Sequence, residues 1–373
     1  MARGRKSRLR GLGGERDRLA AYSPNDANVL LLKPGAQPCA AGMIDWREMW
    51  VYLNQSQEER PVRIASFRAD DGSIRLGVAR NGELVDLSRA ATMLNAPEAR
   101  EAPELLRDML ALIAAGPQAL ERIGQLASAA PEDAALTLSA AQLLAPIPRP
   151  AKNILCVGRN YAEHAAESLR ASGEQAPVGQ RRPNIFTKAV TTVTGPFDDI
   201  PLDSTLTQKL DWEVELGVII GQGGRRIRRE DALRHVFGYT IVNDLSARDL
   251  QHAPGLQWFT GKSLDGSCPM GPWIVTTDEI PNPQALNLTL SVNGELKQAD
   301  TTAHMLYDVA AIIASLAEVM TLEPGDILAT GTPAGVGHGR TPPEYLQPGD
   351  VMETAIDAIG ALRNKIVAVG DAA

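Results

Sequence analysis

Hydrophobic and polar positions along this chain change their period several times, and each change marks a boundary. Across residues 62–87, short apolar runs are broken at Asp71-Gly72 and Asn81-Gly82, dipeptides that supply the positive φ angles of tight hairpins. The pattern predicts strand, turn, strand, turn, strand. Residues 88–145 then turn rich in Ala and Leu, with helical spacing at Leu105, Leu106, Met109, Leu110 and Ile113 and breaks at Gly116-Pro117 and Pro131. The run Ala145-Pro146-Ile147-Pro148-Arg149-Pro150 suits neither helix nor central strand, because alternate prolines remove donors and fix φ, so a domain boundary is placed there. Beyond it, strand signals recur at 154–157, 185–188, 214–220, 239–243, 273–276 and 286–292. One long helix is predicted over 304–320, with Leu306, Val309, Ile312, Ile313 and Leu316 on one face as core packing. Two Pro-Gly-Asp turns each precede an apolar run and read as repeated turn chemistry. The expectation is an α+β protein: an extended or disordered segment over 1–58, a small domain of hairpins and helices over 59–148, and a larger β-rich domain over 149–373.

Composition narrows the class. A chain of 373 residues accommodates two domains. Its net charge of −8, with signs mixed through most of the chain, offers no general attraction for nucleic acid. Cys39, Cys156 and Cys268 are far apart, which argues against a disulfide framework or a structural zinc site and points to a reducing compartment, expected to be the cytoplasm. The longest apolar helical stretch, 309–320, is too short for a bilayer and is interrupted by Ser315 and Glu318, so no membrane partner is expected. Arg3, Arg5, Lys6, Arg8 and Arg10 precede any acid, yet no apolar signal core follows. An extension is the leading reading, with Met43 as an alternative start and a targeting peptide or nucleic-acid arm as rivals.

The candidate chemistry centres on acids. Glu213 and Glu215, at the start of the 214–220 run, point to the same face of a strand, about 5–7 Å apart, where their repulsion needs compensation. A divalent ion is the simplest compensation; a solvated edge strand with both glutamates in water is the plain alternative. Oxygen-only donors favour Mg²⁺ or Mn²⁺, then Ca²⁺, over zinc. Asp244, 29 positions after Glu215, ends another β-branched run and is a third ligand candidate. Three carboxylates would leave about three positions of an octahedral ion open, as in a catalytic site.

His164 and Glu167 share a face if their segment is helical. A carboxylate that fixes the tautomer makes the other ring nitrogen a better base, although a surface ion pair has the same spacing. Residues 168–182, with Arg170, Arg181 and Arg182, suit either a lid over an anionic substrate or an ordinary loop. Thr260-Gly261-Lys262-Ser263 fails as a phosphate-binding loop, because Gly255 is misplaced and Trp258 and Phe259 are bulky. Lys262 reads instead as a point charge for a carboxylate or enolate. The segment Thr330-Gly331-Thr332-Pro333-Ala334-Gly335-Val336-Gly337 is either an anion-binding loop or a tight turn.

Taken together, Cys156-Val157-Gly158-Arg159-Asn160-Tyr161 with His164, Trp212-Glu213-Val214-Glu215-Leu216, Asn243-Asp244 through Arg248-Asp249, Gly261-Lys262-Ser263 and Thr330-Gly331-Thr332-Pro333 resemble the fumarylacetoacetate hydrolase family over roughly 152–370. The resemblance implies a mixed-sheet β-roll, usually homodimeric, binding Mg²⁺ or Mn²⁺ through Glu213, Glu215 and Asp244. It makes His164 and Glu167 a water-activating dyad, with Lys262 stabilising charge. Arg159, Tyr161, Arg248, Gln251 and Thr330 then fall where substrate is bound. Only Arg159 and Asn160 stand where the namesake enzyme has a further aspartate ligand, which aligns the chain with the acylpyruvase-like branch. The implied substrate is a 2-oxo or β-diketo acid, and the leading expectation is hydrolysis of its carbon-carbon bond through an enolate on the ion. Sibling chemistries are isomerisation of a hydroxymuconate, hydration of a 2-oxopentenoate and decarboxylation of a 2-oxo acid such as oxaloacetate. An intact dyad favours hydrolysis, and solvent exclusion around His164 favours isomerisation or decarboxylation. A non-enzymatic metal-binding scaffold is the alternative of another class.

Overall fold

The computed structural model describes residues 62–137, 142–172 and 182–370, all within one compact unit. The segment 1–58 and most of the 168–182 stretch lie outside the described residues. Strands β1 (Arg63–Arg68), β2 (Ile74–Arg80) and β3 (Glu83–Asp86) form the two expected hairpins. Asn81 and Gly82 take φ of 53° and 83° at the second turn. Helix α1 (Leu87–Met93) begins where the Asp86 side chain accepts from Arg89 N at 3.0 Å, an N-cap that stops the strand and starts the helix. Helices α2 (Met109–Ala115) and α3 (Pro117–Ala129) follow, and Leu87, Leu112 and Ile123 pack with Ile64, Leu76 and Val85. Strand β4 (Ala135–Leu136) closes the β3 edge.

The hairpins are continuous with a large mixed sheet. Its further strands are β5 (Ile154–Gly158), β6 (Asn184–Lys188), β10 (Val214–Ile220), β11 (Val236–Asn243), β13 (Cys268–Thr276) and β16 (Ile327–Ala329), in the order β4-β3-β2-β1-β13-β11-β10-β16-β5-β6. The join is the antiparallel pairing of β1 with β13, Ile64 opposite Ile274. Strand β7 (Val193–Thr194) pairs with β13, and β9 (Leu210–Asp211) pairs with β12 (Ser246–Ala247) as a separate ribbon. A second sheet runs β15 (Glu295–Thr301), β14 (Asn287–Val292), β17 (Val351–Ile356), β18 (Gly360–Ala368), β8 (Ile200–Leu202). Leu216, Val218 and Ile241 of the first sheet meet Leu288, Leu290, Met352 and Ile366 of the second in one apolar core. Strands β10 and β11 are buried along their whole length, which explains their near-continuous apolar sequence.

Three departures from the sequence reading have physical causes. Helix α7 (Val309–Val319) starts at Val309, because Asp308 caps it by accepting from Ala311 N at 2.7 Å; 302–304 is a separate 3₁₀ turn and Leu306 is 55% exposed. Strand β13 reaches back to Cys268 through Pro269 and Pro272, residues that argue against a central strand. Strand β15 is polar because it is the edge of its sheet. Among the described residues no helix is long and apolar enough to cross a membrane.

Candidate metal centre and active site

The β10–β11 register builds the acidic centre. Val214 lies opposite Asn243, so the flanking Glu213 and Asp244 meet just beyond the ladder, where Asp244 N donates to Glu213 O at 2.9 Å. The Asn243 side chain locks the junction by accepting from Glu213 N at 3.0 Å. Glu215, two residues on, shares the face of Glu213. One oxygen from each of Glu213, Glu215 and Asp244 lies within 4.8 Å of the other two, and all three residues are buried.

Cations surround two of these acids. Lys262 Nζ, at the end of α6 (Trp258–Lys262), is 2.7 Å from both Glu213 Oε2 and Asp244 Oδ2. Arg248, which opens α5 (Arg248–Gln251), sits 2.7 Å from Glu213 Oε1 and 2.8 Å from Asp211 Oδ2. Lys188 Nζ lies 2.9 Å from Asp244 Oδ1. Asp211 also accepts from the backbone N–H groups of Trp212, Gly337 and His338. Glu215 accepts from Gly331 N at 2.7 Å, and among the described residues no ion pair reaches it. Gly331 has φ of 95°, and a Cβ there would stand 2.7 Å from Asn160 Cβ, so only glycine brings this N–H to the acid.

The pKa values divide accordingly. Burial pushes the Glu213 carboxyl up, but Lys262 and Arg248 outweigh it and hold the group at about 2. Burial also pushes Glu215 up, and the charges of Asp244 and Glu213 add to it, so Glu215 lies well above the carboxylate range. Four buried acids, Asp211, Glu213, Glu215 and Asp244, face three buried cations, Lys188, Arg248 and Lys262, and the excess negative charge falls on Glu215. The oxygen-only donor set and the uncompensated acid fit a hard divalent cation.

Helix α4 (Ala162–Ser172) carries the other expected pair. His164 Nδ1 stands 3.4 Å from Glu167 Oε2, with the two residues 5% and 9% exposed. Glu167 also accepts from Gly335 N, at 3.2 Å to Oε2. Asn160, just before the helix, ties its base to neighbouring loops through Tyr307 O at 2.9 Å and Thr330 O at 2.8 Å.

A narrow cleft joins the two groups. Glu213, Glu215, Lys262 and His164 line it, as do Arg159, Arg248 and Gln251. Asp244 lies behind this wall. The structure does not bring Tyr161 or Thr330 to the cleft: Tyr161 is buried elsewhere in the core, and the Thr330 hydroxyl donates to Leu216 O at 2.9 Å. Thr332 takes the lining position instead, with its Oγ1 accepting from Gln298 Nε2 at 2.8 Å. Arg248 is committed to Asp211 and Glu213, and its Nη1 donates to Gln251. Sequence reasoning passed over Asp211, Lys188 and Trp258. The indole of Trp258 packs edge-on against Phe186 at 5.6 Å and beneath the Arg159 guanidinium at 5.3 Å. A polar residue inside or beside an otherwise apolar run is the one signal that could have found Asp211 and Lys188.

A mixed-sheet α+β scaffold that aims a buried carboxylate cluster and a histidine into a small cleft is the architecture of a metal-dependent enzyme acting on small molecules. The chain belongs to the fumarylacetoacetate hydrolase family: the family model "Fumarylacetoacetate (FAA) hydrolase C-terminal" matches residues 153–367. Its relatives include the oxaloacetate tautomerase YisK of Bacillus subtilis, 49% identical over 230 residues, or 62% of this chain and 74% of the relative. Among solved structures, fumarylacetoacetate hydrolase from Exiguobacterium antarcticum matches with a TM-score of 0.67 and 41% identity, covering 82% of this chain and 99% of the other. Maleylpyruvate hydrolase from Sphingobium sp. SYK-6, in complex with manganese(II) and pyruvate, matches with a TM-score of 0.61 and 31% identity over 82% and 99% of the two chains.

Proposed function

We propose that this enzyme interconverts the enol and keto forms of a short 2-oxo acid, with oxaloacetate as the leading substrate, using a divalent ion held by Glu213, Glu215 and Asp244. The observation that carries the reading is the burial of His164, 5% exposed and lining a narrow cleft together with Glu213, Glu215 and Lys262. A sheltered imidazole beside a small cleft favours proton transfer within the substrate over delivery of water. The 49% identical relative, an oxaloacetate tautomerase, supports the same reaction class.

With Glu167 accepting from Nδ1–H, the Nε2 atom of His164 carries the lone pair and serves as the base. It takes the enol hydroxyl proton, the electron pair closes the carbonyl, and a proton is returned to the adjacent carbon. Lys262, buried and with its pKa raised because nearby Asp244 and Glu213 overcome the effect of burial, stays protonated and faces the oxygen on which charge gathers. A bound hard divalent ion would supply Lewis acidity toward that oxygen. Arg159, Gln251 and Thr332 line the cleft where the substrate's carboxylate ends are bound.

Carbon-carbon hydrolysis of an acylpyruvate is the second reading, and the His164–Glu167 contact together with the likeness to maleylpyruvate hydrolase favours it. The test follows the ultraviolet absorbance of enol-oxaloacetate with Mn²⁺ or Mg²⁺, beside acylpyruvate cleavage and oxaloacetate decarboxylation in the same preparation. Acceleration of enol loss above the metal-only rate, without cleavage products, is expected; faster acylpyruvate cleavage would overturn the tautomerase reading.

A further inference from the structure

Asp244 is gripped from two sides by lysines that are not equivalent. Lys262 reaches Oδ2 at 2.7 Å, also holds Glu213, and lines the cleft. Lys188 reaches Oδ1 at 2.9 Å from behind, as the last residue of β6. Its Nζ also donates to Leu245 O at 2.9 Å, the residue is 0% exposed, and it is no part of the cleft wall. Lys188 therefore cannot touch a substrate, and the proton transfer above does not use it. A fully buried ammonium is retained only where partners compensate its desolvation, and Asp244 and the Leu245 carbonyl are those partners.

The grip has a geometric consequence. By donating to the backbone carbonyl that follows Asp244 while its charge lies 2.9 Å from Asp244 Oδ1, Lys188 ties down the turn after β11 and holds a positive charge against that side of the carboxylate. Oδ1 has the Lys188 ammonium against it, while Oδ2 lies on the side of Lys262 and Glu213. We propose that Lys188 is a positioning residue that restricts Asp244 to donating one oxygen to the divalent ion, thereby keeping open the coordination positions that a chelating 2-oxo acid needs. The inference rests on the reading of the three acids as the ion's ligands. Without the ammonium, Asp244 is free to rotate and offer both oxygens, as carboxylates do toward hard cations. The site also loses a positive charge that repels the metal and attracts the anionic substrate.

The two effects predict opposite signs for ion and substrate, a signature that general loosening of the fold does not produce. The experiment uses the full chain with Lys188→Met, and Lys188→Gln as the variant that keeps a neutral polar group beside Oδ1. Mn²⁺ binding is measured from the free-ion paramagnetic resonance signal, and oxalate and pyruvate are then titrated calorimetrically into the Mn²⁺-loaded protein. Lys188→Met is expected to bind Mn²⁺ at least as tightly as the parent and to bind oxalate at least tenfold more weakly, with Lys188→Gln between the two. Oxalate affinity within twofold of the parent in both variants, or loss of Mn²⁺ binding in variants whose circular dichroism is unchanged, would overturn the proposal. Glu215→Gln is run beside them: if it binds Mn²⁺ like the parent, the ligand assignment itself has failed, which is distinct from a failure of Lys188 alone.

Discussion

Gly339→Ala perturbs the His164–Glu167 pair without altering either member. Gly339 closes a 3₁₀ turn, Gly337–Gly339, whose backbone runs against Glu167. A Cβ built on Gly339 would overlap Glu167 Cγ and Cδ and stand 2.5 Å from Oε1. Carbon atoms in contact normally sit about 3.5–4.0 Å apart, so the glutamate must leave its rotamer. The His164–Glu167 contact is 3.4 Å, and any such departure breaks it. General acid-base catalysis contributes about 10²–10⁴-fold, so a misoriented imidazole should cost roughly 10²-fold in kcat, or about 2.7 kcal/mol of barrier. Overpacking should cost about 1–3 kcal/mol of stability, which a chain of this size survives. The assay compares kcat, KM and Mn²⁺ affinity of Gly339→Ala with those of Glu167→Gln and the parent. Both variants should lose kcat with little change in Mn²⁺ affinity. A kcat for Gly339→Ala within twofold of the parent, in folded protein, would refute the claim that Glu167 orients the base.

Glu215→Gln removes the acid whose charge has no ion-pair partner among the described residues, so the metal-free protein should melt higher while Mn²⁺ affinity falls by at least 10²-fold, checked by calorimetry. Because Glu215 has its folded pKa raised, its contribution to stability is full below the unfolded value of about 4.3 and is lost as pH rises through the folded value. Metal uptake should therefore release a proton, and Mn²⁺ affinity should climb by up to about tenfold per pH unit in that window, measured by titration in buffers of different ionisation enthalpy. Glu213 has the opposite sign: held at about 2, it stabilises the metal-free fold above the unfolded value, and this contribution should fade in urea melts as pH falls from about 4 toward 2. Asp211→Ala removes one of the two carboxylates paired with the buried Arg248 guanidinium and leaves two loop N–H groups without their acceptor, and should cost about 3–5 kcal/mol in urea unfolding.

The apolar strands were legible because their neighbours bury them on both faces, which leaves a continuous hydrophobic run such as Val214–Ile220. The turn at Asn81-Gly82 was legible because only a few residues accept positive φ. Strand β15 was hidden because an edge strand need not be apolar, and the true start of α7 depended on a cap at Asp308 that competes with the periodicity through Leu306. At the site, Glu213, Glu215, Asp244, Lys262 and His164 stood out as charged or titratable groups inside strand and helix patterns. Lys188 did not, since a lysine closing a strand reads as a solvated end until the strand is seen to be covered.

Local sequence alone determined which residues could carry the chemistry, because side-chain type and strand periodicity are properties of a few consecutive positions. Only the tertiary structure decided which of them meet. The pairing of β10 with β11 brings Asp244 to Glu213 across 31 positions, and the enclosing sheets remove water, turning a tolerable cluster of acids into an excess of buried charge that calls for a cation. Proximity and desolvation depend on the whole chain at once, so neither is written in any one segment of it.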